Sequence, residues 1–294
     1  MKKFDYYVLD VFSNERYKGN QLSVVYTDEE LSIEQYYAVS REFGYSETSF
    51  VHYSTEESVF KVRSFTSAEF EVIGAGHNLL GAVCLALLKK WDIFKNQDGL
   101  PFVMIKDIKV AIQVTEVDEL PYVTMQQPPA KIISSVPARV IAEAIGLKVG
   151  DLSLKDWPLN IVQTEVPHLM VPVNNPASLK SAVANKSLLK EVSAKFGFEG
   201  FYLFTTNDLN SDYLAEARFF NPGIGIDEDP ATGTAAGPLA GYLEQLGYAE
   251  INKDYRILQG QYLNHPSIIN VKVVNEGIWV SGSAVIVMEG QLYL

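Results

Sequence analysis

The chain has 294 residues with 36 acidic against 24 basic side chains, a formal net charge of −12. That balance argues against nucleic acid as a partner, because backbone binding needs clustered Lys and Arg. A hydrophobic share of 47% beside 20% charged residues fits a globular chain of one or two domains, and no apolar run reaches the ~20 residues of a membrane span.

The opening, MKKFDYYVLDVF, reads at once as a strand with Asp5 and Asp10 inside it. It lacks the apolar core of an export signal, so a cytoplasmic location is expected. Residues 4 to 12 and 21 to 26 read as strands around the turn NERYKGN, which ends in Gly19 and Asn20. Ser32 and Gln35 stand at capping-box spacing before Ile33, Tyr36, Tyr37 and Phe43, which predicts a helix over 32–43. Strand composition returns at SETSFVHY (46–53), SVFKVRSFT (58–66) and EFEVI (69–73). The last of these feeds a helix over 74–90 that opens on Gly74, Ala75, Gly76, His77 and Asn78. Cys84, the single cysteine, lies on the apolar pattern of that helix and reads as a buried thiol. His52, His77, His168 and His265, with no Cys/His cluster, give no case for a metal.

Strand-like runs fill 102–125, and QQPPAK at 126–131 is the best boundary between two domains. The same order of elements then begins again. A helix is expected over 137–145 with Pro137 in its first turn, strands over 159–165 and 168–173, a helix over 187–196, and strands over 200–206 and 213–220. Residues 226–247, IDEDPATGTAAGPLAGYLEQLG, read as an acidic turn running into a second small-residue helix. The tail from 268 reads as a three-segment antiparallel meander, IINVKVV, GIWVSGSAVIVM and GQLYL. Two helices with such starts predict two halves: residues 1–127, completed by a last strand at 284–294, and residues 128–283.

A helix start without bulk lets a ligand approach its free N–H groups, and the partial positive charge there favours a carboxylate. The same glycines and alanines serve equally to pack a helix closely inside a sheet.

Several stretches together carry a family resemblance: DVFSNERYKGNQLSVVY, GYSETSFV at 44–51, RSFTSAEFEVIGAGHNLLG at 63–81, RFFNPGIGIDEDPATGTAAG at 218–237 and LQGQYLNHPS at 258–267. With these the chain resembles the phenazine-biosynthesis-like isomerases, which share the diaminopimelate epimerase fold. The resemblance implies an α+β protein of two pseudo-symmetric lobes, each a curled, barrel-like mixed sheet around a central helix, with the site in the cleft between them. It implies Glu47 as the catalytic acid/base with His77 and Asp229 around the substrate. Asn20, Ser46, Gly76, Asn78, Thr232, Gly233 and Thr234 are the substrate-binding positions it implies. A small carboxylated substrate, no cofactor and a homodimer follow in the same way. In the epimerase branch of the fold two cysteines face each other at the helix starts. This chain has Ala75 and Thr232 there, so a two-thiol inversion has no support. Asn78, Leu79 and His265 also depart from the residues common in relatives.

Read as residues alone, these positions keep other readings. A Glu on a strand is commonly a solvated outer residue. His77 serves as well for a packed histidine, and Asp229 for the N-terminal cap of its helix. If Glu47 lies in a partly closed site, burial would bring its pKa towards neutrality, as a proton carrier requires. The expected reaction is a cofactor-free proton shift within one substrate. The alternatives are an amino-acid racemase or epimerase, and a non-catalytic binder of small acids.

Overall fold

In a computed structural model, which describes residues 2–95, 97, 99–206 and 212–294, the chain divides into two compact units, Met1–Gln126 with Ser281–Leu294, and Gln127–Val280. In the first unit β1 (Lys3–Val11) and β2 (Asn20–Tyr26) pair antiparallel. Next, α1 (Ile33–Phe43) crosses to β3 (Glu47–Ser54), which lies parallel to β2. Antiparallel to β3 runs β4 (Val59–Phe65), and the two-residue β5 (Glu71–Val72), shorter than its EFEVI composition predicts, hooks onto it. Helix α2 (His77–Leu88) then leads to β6 (Phe102–Ile105), parallel to β4, and β7 (Ile108–Val117) and β8 (Leu120–Gln127) follow as hairpins.

The two helices differ as their sequences do. The Ser32–Gln35 capping box forms as expected and α1 is amphipathic, burying Tyr36 and Val39 against Phe4, Val25, Phe50 and Phe65. Ile33 is exposed, because the inner face of α1 is set by Tyr36 and Val39 and the first turn stands clear of it. Helix α2 has no polar face, and every residue from His77 to Ala86 is buried. It packs on β1, β2, β3 and β4. A Cβ on Gly81 would lie 2.6 Å from Leu22 Cδ2 and 2.7 Å from Val11 Cγ2, so the sheet side chains approach closest where α2 has no side chain.

The second unit repeats this plan. β9 (Lys131–Ser135), α3 (Ala138–Ala144), β10 (Asn160–Gln163) and β11 (Pro167–Pro172) come first, with β10 antiparallel to both neighbouring strands. Pro137 precedes α3 rather than entering its first turn. Two helices, α4 (Pro176–Ser181), absent from the expectations although Asn175 caps it and Pro176 opens its first turn, and α5 (Lys186–Phe196), cross to β12 (Gly200–Thr205), parallel to β11. β13 (Ala215–Asn221) returns antiparallel, and the acidic stretch IDED is itself a short strand, β14 (Ile226–Asp229), rather than a turn. Helix α6 (Gly233–Gln245) then crosses to β15 (Tyr255–Gln259), parallel to β13, before β16 (Ser267–Val274) and β17 (Gly277–Gly282). Each unit therefore makes two parallel steps, and the second step carries its buried central helix. The outer face of the second sheet is covered by α3, α4 and α5 through Ile141, Leu179, Leu189 and Val192 against Leu169, Phe201 and Phe220.

The tail is not a meander with breaks where its composition placed them. Its last break falls at Ser283, and β18 (Ala284–Tyr293) runs antiparallel to β1 from Lys3 opposite Tyr293 to Val11 opposite Ala284. Phe12 N–H donates to Ser283 C=O at 2.9 Å and holds the corner. Among the described residues no pairing joins β18 to β8, so the first sheet curls without closing into a barrel.

Candidate active site

Glu47 opens β3, opposite Leu22 of β2, and its side chain is 7% exposed. Strand alternation sends Glu47 and Ser49 to the face that meets α2 and sends Thr48 and Phe50 to the face that meets α1. On the Glu47 face Ser64 Oγ donates to Glu47 Oε2 at 3.1 Å. Ser49, directly across the β3–β4 pair from Ser64, has its hydroxyl 3.2 Å from Ser64 Oγ and 3.3 Å from the Asn78 C=O, within reach of either as a donor. Two serine hydroxyls thus connect the carboxyl group to the first turn of α2. On the opposite face Ser23 Oγ and Thr48 Oγ1 form a separate pair at 2.7 Å.

The start of α2 is fastened by one side chain. Gly76 is its N-cap and has nothing to cap with, so Asn78 Oδ1 accepts from the N–H groups of Gly76 at 2.9 Å and Leu79 at 2.8 Å, while Asn78 Nδ2 donates to the Gly74 C=O at 3.2 Å. Both polar atoms of the Asn78 side chain are engaged in this way. His77 is the first residue of the helix and is buried, and its Nε2 has no hydrogen-bond partner among the described residues. Burial pushes its pKa down to about 3, so the ring is neutral. Asn20, the first residue of β2, accepts from Ser46 Oγ through its Oδ1 at 3.5 Å.

In the second unit the corresponding helix start is built around a buried amide. Asp229 ends β14 opposite Phe219, and Thr232 is the N-cap of α6, without a side-chain cap bond. Asp229 is therefore not the cap residue, because Pro230 and Ala231 separate it from the helix. Its Oδ2 instead accepts from Thr232 Oγ1 at 2.6 Å. Gln259, fully buried on β15, accepts through Oε1 from Thr232 N–H at 3.1 Å and from Tyr202 OH at 2.9 Å. Its Nε2 donates to the Asp229 C=O at 2.7 Å and to Thr232 Oγ1 at 3.0 Å. A backbone N–H can only donate and a C=O can only accept, so the amide has one orientation. The Thr232 hydroxyl, accepting from Gln259, must give its proton to Asp229. Burial, with the Asp229 carboxylate beside it, pushes the Tyr202 phenol up and keeps it a donor.

Thr232 N–H is taken by Gln259, which leaves the first helical amides, Gly233 and Thr234, without partners inside α6. Gln127 Nε2 donates to the Gly233 C=O at 3.1 Å, and a Cβ on Gly237 would lie 2.0 Å from Gln127 Oε1. One residue of the boundary segment therefore both holds the helix start and requires glycine one turn along.

Of the expected positions, the structure joins Asn20 to Ser46, links Glu47 to the turn carrying Gly76, His77 and Asn78, and joins Asp229 to Thr232. Sequence reasoning missed Ser49, Ser64, Tyr202 and Gln259. Ser49, Ser64 and Gln259 lie inside the stretches that carry the family resemblance, but their roles depend on register and on a crossover. Cys84 is buried, and burial pushes its thiol up, so it is no thiolate base. Among the described residues no cluster of three or more His, Cys, Asp or Glu is placed to hold a metal, and no helix is long and apolar enough to cross a membrane.

This architecture recurs in known proteins. The chain is 30% identical to trans-2,3-dihydro-3-hydroxyanthranilate isomerase of Pseudomonas aeruginosa, over 98% of this chain and 99% of that one. A solved structure from Pseudomonas aeruginosa, named a predicted epimerase, superposes with a TM-score of 0.83 at 30% identity over 99% of both chains. A Bacillus anthracis phenazine biosynthesis protein of the PhzF family does so with a TM-score of 0.87 at 23% identity over the full length of both. The profile of the phenazine biosynthesis-like proteins matches residues 9–290, and with a mixed α+β fold of the epimerase type already in view, the chain belongs to that family of isomerases.

Proposed function

We propose that the chain is a cofactor-independent isomerase that moves a proton between two carbons of a small carboxylated substrate, with Glu47 as the general acid/base. The observation that carries this reading is the burial of the Glu47 carboxyl on a strand, tied through hydroxyls to a helix start that bears a neutral histidine. Glu47 takes a proton from a carbon next to an unsaturated or carboxylated group. The C–H electron pair spreads into that group, and the proton returns at another carbon, so the reaction gains and loses no atoms or electrons. The amides of His77 and Asn78, and of Gly233 and Thr234, are assigned to the substrate's carboxylate and developing charge, each well-placed donor being worth about 3 kcal/mol. His77, with its Nε2 unpartnered among the described residues, is assigned a hydrogen bond to the substrate, and Asp229 a place beside it.

An epimerase using two thiols is not favoured, since Ala75 and Thr232 occupy the helix starts and Cys84 is buried. The relative's substrate, trans-2,3-dihydro-3-hydroxyanthranilate, is the probe of choice. Incubated with the protein in heavy water, it should isomerise and acquire deuterium at carbon. Isomerisation or exchange undiminished in Glu47→Gln would overturn the assignment, and tight binding of the probe by the wild type without either would favour a binder. The resemblance also brings a homodimer into the proposal, which sedimentation equilibrium would check.

A further inference from the structure

We infer that Ser64 and Ser49 are positioning residues for Glu47: a pair of hydroxyl rotors whose direction reverses as the carboxyl group gains or loses its proton. The inference rests on the proposal that Glu47 is the acid/base. Both serines are fully buried on paired strands, so neither hydroxyl can turn to water, and a buried hydroxyl must find its partners within the fold.

The chain of atoms is Glu47 Oε2, Ser64 Oγ, Ser49 Oγ and the Asn78 C=O, at successive separations of 3.1, 3.2 and 3.3 Å. It contains no group whose hydrogen-bond direction is fixed except the carbonyl at its far end. With Glu47 ionised, Ser64 donates to Oε2 and Ser49 donates to Ser64. The Asn78 carbonyl then retains its place in the helix ladder of α2. With Glu47 protonated on Oε2, the new O–H donates to Ser64, Ser64 turns to donate to Ser49, and Ser49 donates to the carbonyl. Only the transferred proton changes its covalent partner, as one C–H bond breaks and one O–H bond forms. The serines rotate and keep their own protons. Each protonation state thus finds a complete set of donors and acceptors, and neither is stranded in the interior.

A cross-strand serine pair also forms wherever two hydroxyls meet in a sheet. Ser23 and Thr48 are such a pair on the other face of β3, and they supply the control.

The test reads the carboxyl group directly. Infrared difference spectra would be recorded with the Glu47 band assigned by its loss in Glu47→Gln. That band should shift in Ser64→Ala, shift less in Ser49→Ala and stay in place in Ser23→Ala. With the dihydrohydroxyanthranilate probe, Ser64→Ala should lower kcat about tenfold at unchanged KM. Ser49→Ala should add nothing further once Ser64 is gone. Ser64→Thr should restore kcat where the equally shaped Ser64→Val does not, which separates the hydroxyl from packing and stability. A Glu47 band unmoved in both serine variants, or losses that multiply independently in the double variant, would overturn the inference. Full exchange in Glu47→Gln would overturn the acid/base reading instead, with the band shifts still reporting the hydroxyl link.

Discussion

Two buried carboxyl groups, Glu47 in the first unit and Asp229 in the second, are held in opposite ways. Asp229 accepts a hydrogen bond from Thr232, whose direction is dictated by Gln259, whose own direction is dictated by a backbone N–H and C=O. Glu47 accepts a hydrogen bond from Ser64, whose neighbour Ser49 is another hydroxyl. A primary amide locked by main-chain atoms fixes the polarity of a network, whereas serine hydroxyls leave it reversible. In the proposed reading this keeps Asp229 an acceptor and makes Glu47 the proton carrier. The role is written in the surroundings of each carboxyl group, since both are buried and both lie near the start of a central helix.

The largest effect that would test this contrast is on rate. Glu47→Gln should reduce deuterium exchange into the probe by roughly 10²–10⁴-fold, and Asp229→Asn by about tenfold. Equal losses in the two variants would break the distinction between carrier and acceptor.

Each unit also buries one neutral histidine, His77 and His168, and both have their pKa pushed down to about 3 by burial. In the unfolded chain these rings titrate near 6.5, so below that pH the unfolded state takes up protons that the native state refuses. Stability should therefore fall as pH drops from about 6.5 to 3, by about 3 kcal/mol per ring at pH 4. Urea unfolding across that range would measure it, and His168→Leu should remove about half of the slope. A slope unchanged in that variant would confine the effect to the first unit.

Gln259→Leu would leave Thr232 N–H, Tyr202 OH and the Asp229 C=O without the amide, at a cost of about 2–4 kcal/mol in denaturant. Ser64→Ala should cost only about 1 kcal/mol, since a small hydroxyl is deleted and Ser49 still has its carbonyl. Smallest of all should be the difference between two overpacked helices. Gly237→Ala drives a methyl into Gln127, which is held by Gly233 and Thr164, while Gly81→Ala meets only the ends of Leu22 and Val11. Both fall within about 1–3 kcal/mol by thermal unfolding, with the Gly237 variant the worse.

The parts of the fold that could be read from the sequence are those with a local cause. The Ser32–Gln35 capping box, the all-apolar turn sequence of α2 and the Gly-Thr-Ala-Ala-Gly start of α6 each specify their element within a dozen residues. What could not be read depends on partners far along the chain. Ser49 and Ser64 look like ordinary polar positions of two strands until register sets them face to face. Gln259 reaches Thr232 only because β15 returns parallel to β13 after α6. Asp229 was a fair cap by residue type, but Pro230 and Ala231 carry the chain past it before the helix begins, and Thr232 takes the cap position. At the tail GIWVSGSAVIVM offers no internal stop by composition, and it is the pairing of Ala284–Tyr293 with β1 that separates the last strand, expected over 284–294, from the one before it.

That pairing has a temporal side. Lys3–Val11 leave the ribosome before the whole of the second unit, and Ala284–Tyr293 only after it. While the nascent chain is being extended, β1 has a neighbour on one side only, and the row of amides on its other side waits through the synthesis of the entire second unit. Contacts of such long sequence separation form late and leave an open strand edge vulnerable to association with other chains. A stop codon placed before residue 284 would therefore release a polypeptide whose second unit is fully encoded but whose first unit lacks a seam. Its aggregation during translation, rather than a loss of any site residue, would be the first visible defect.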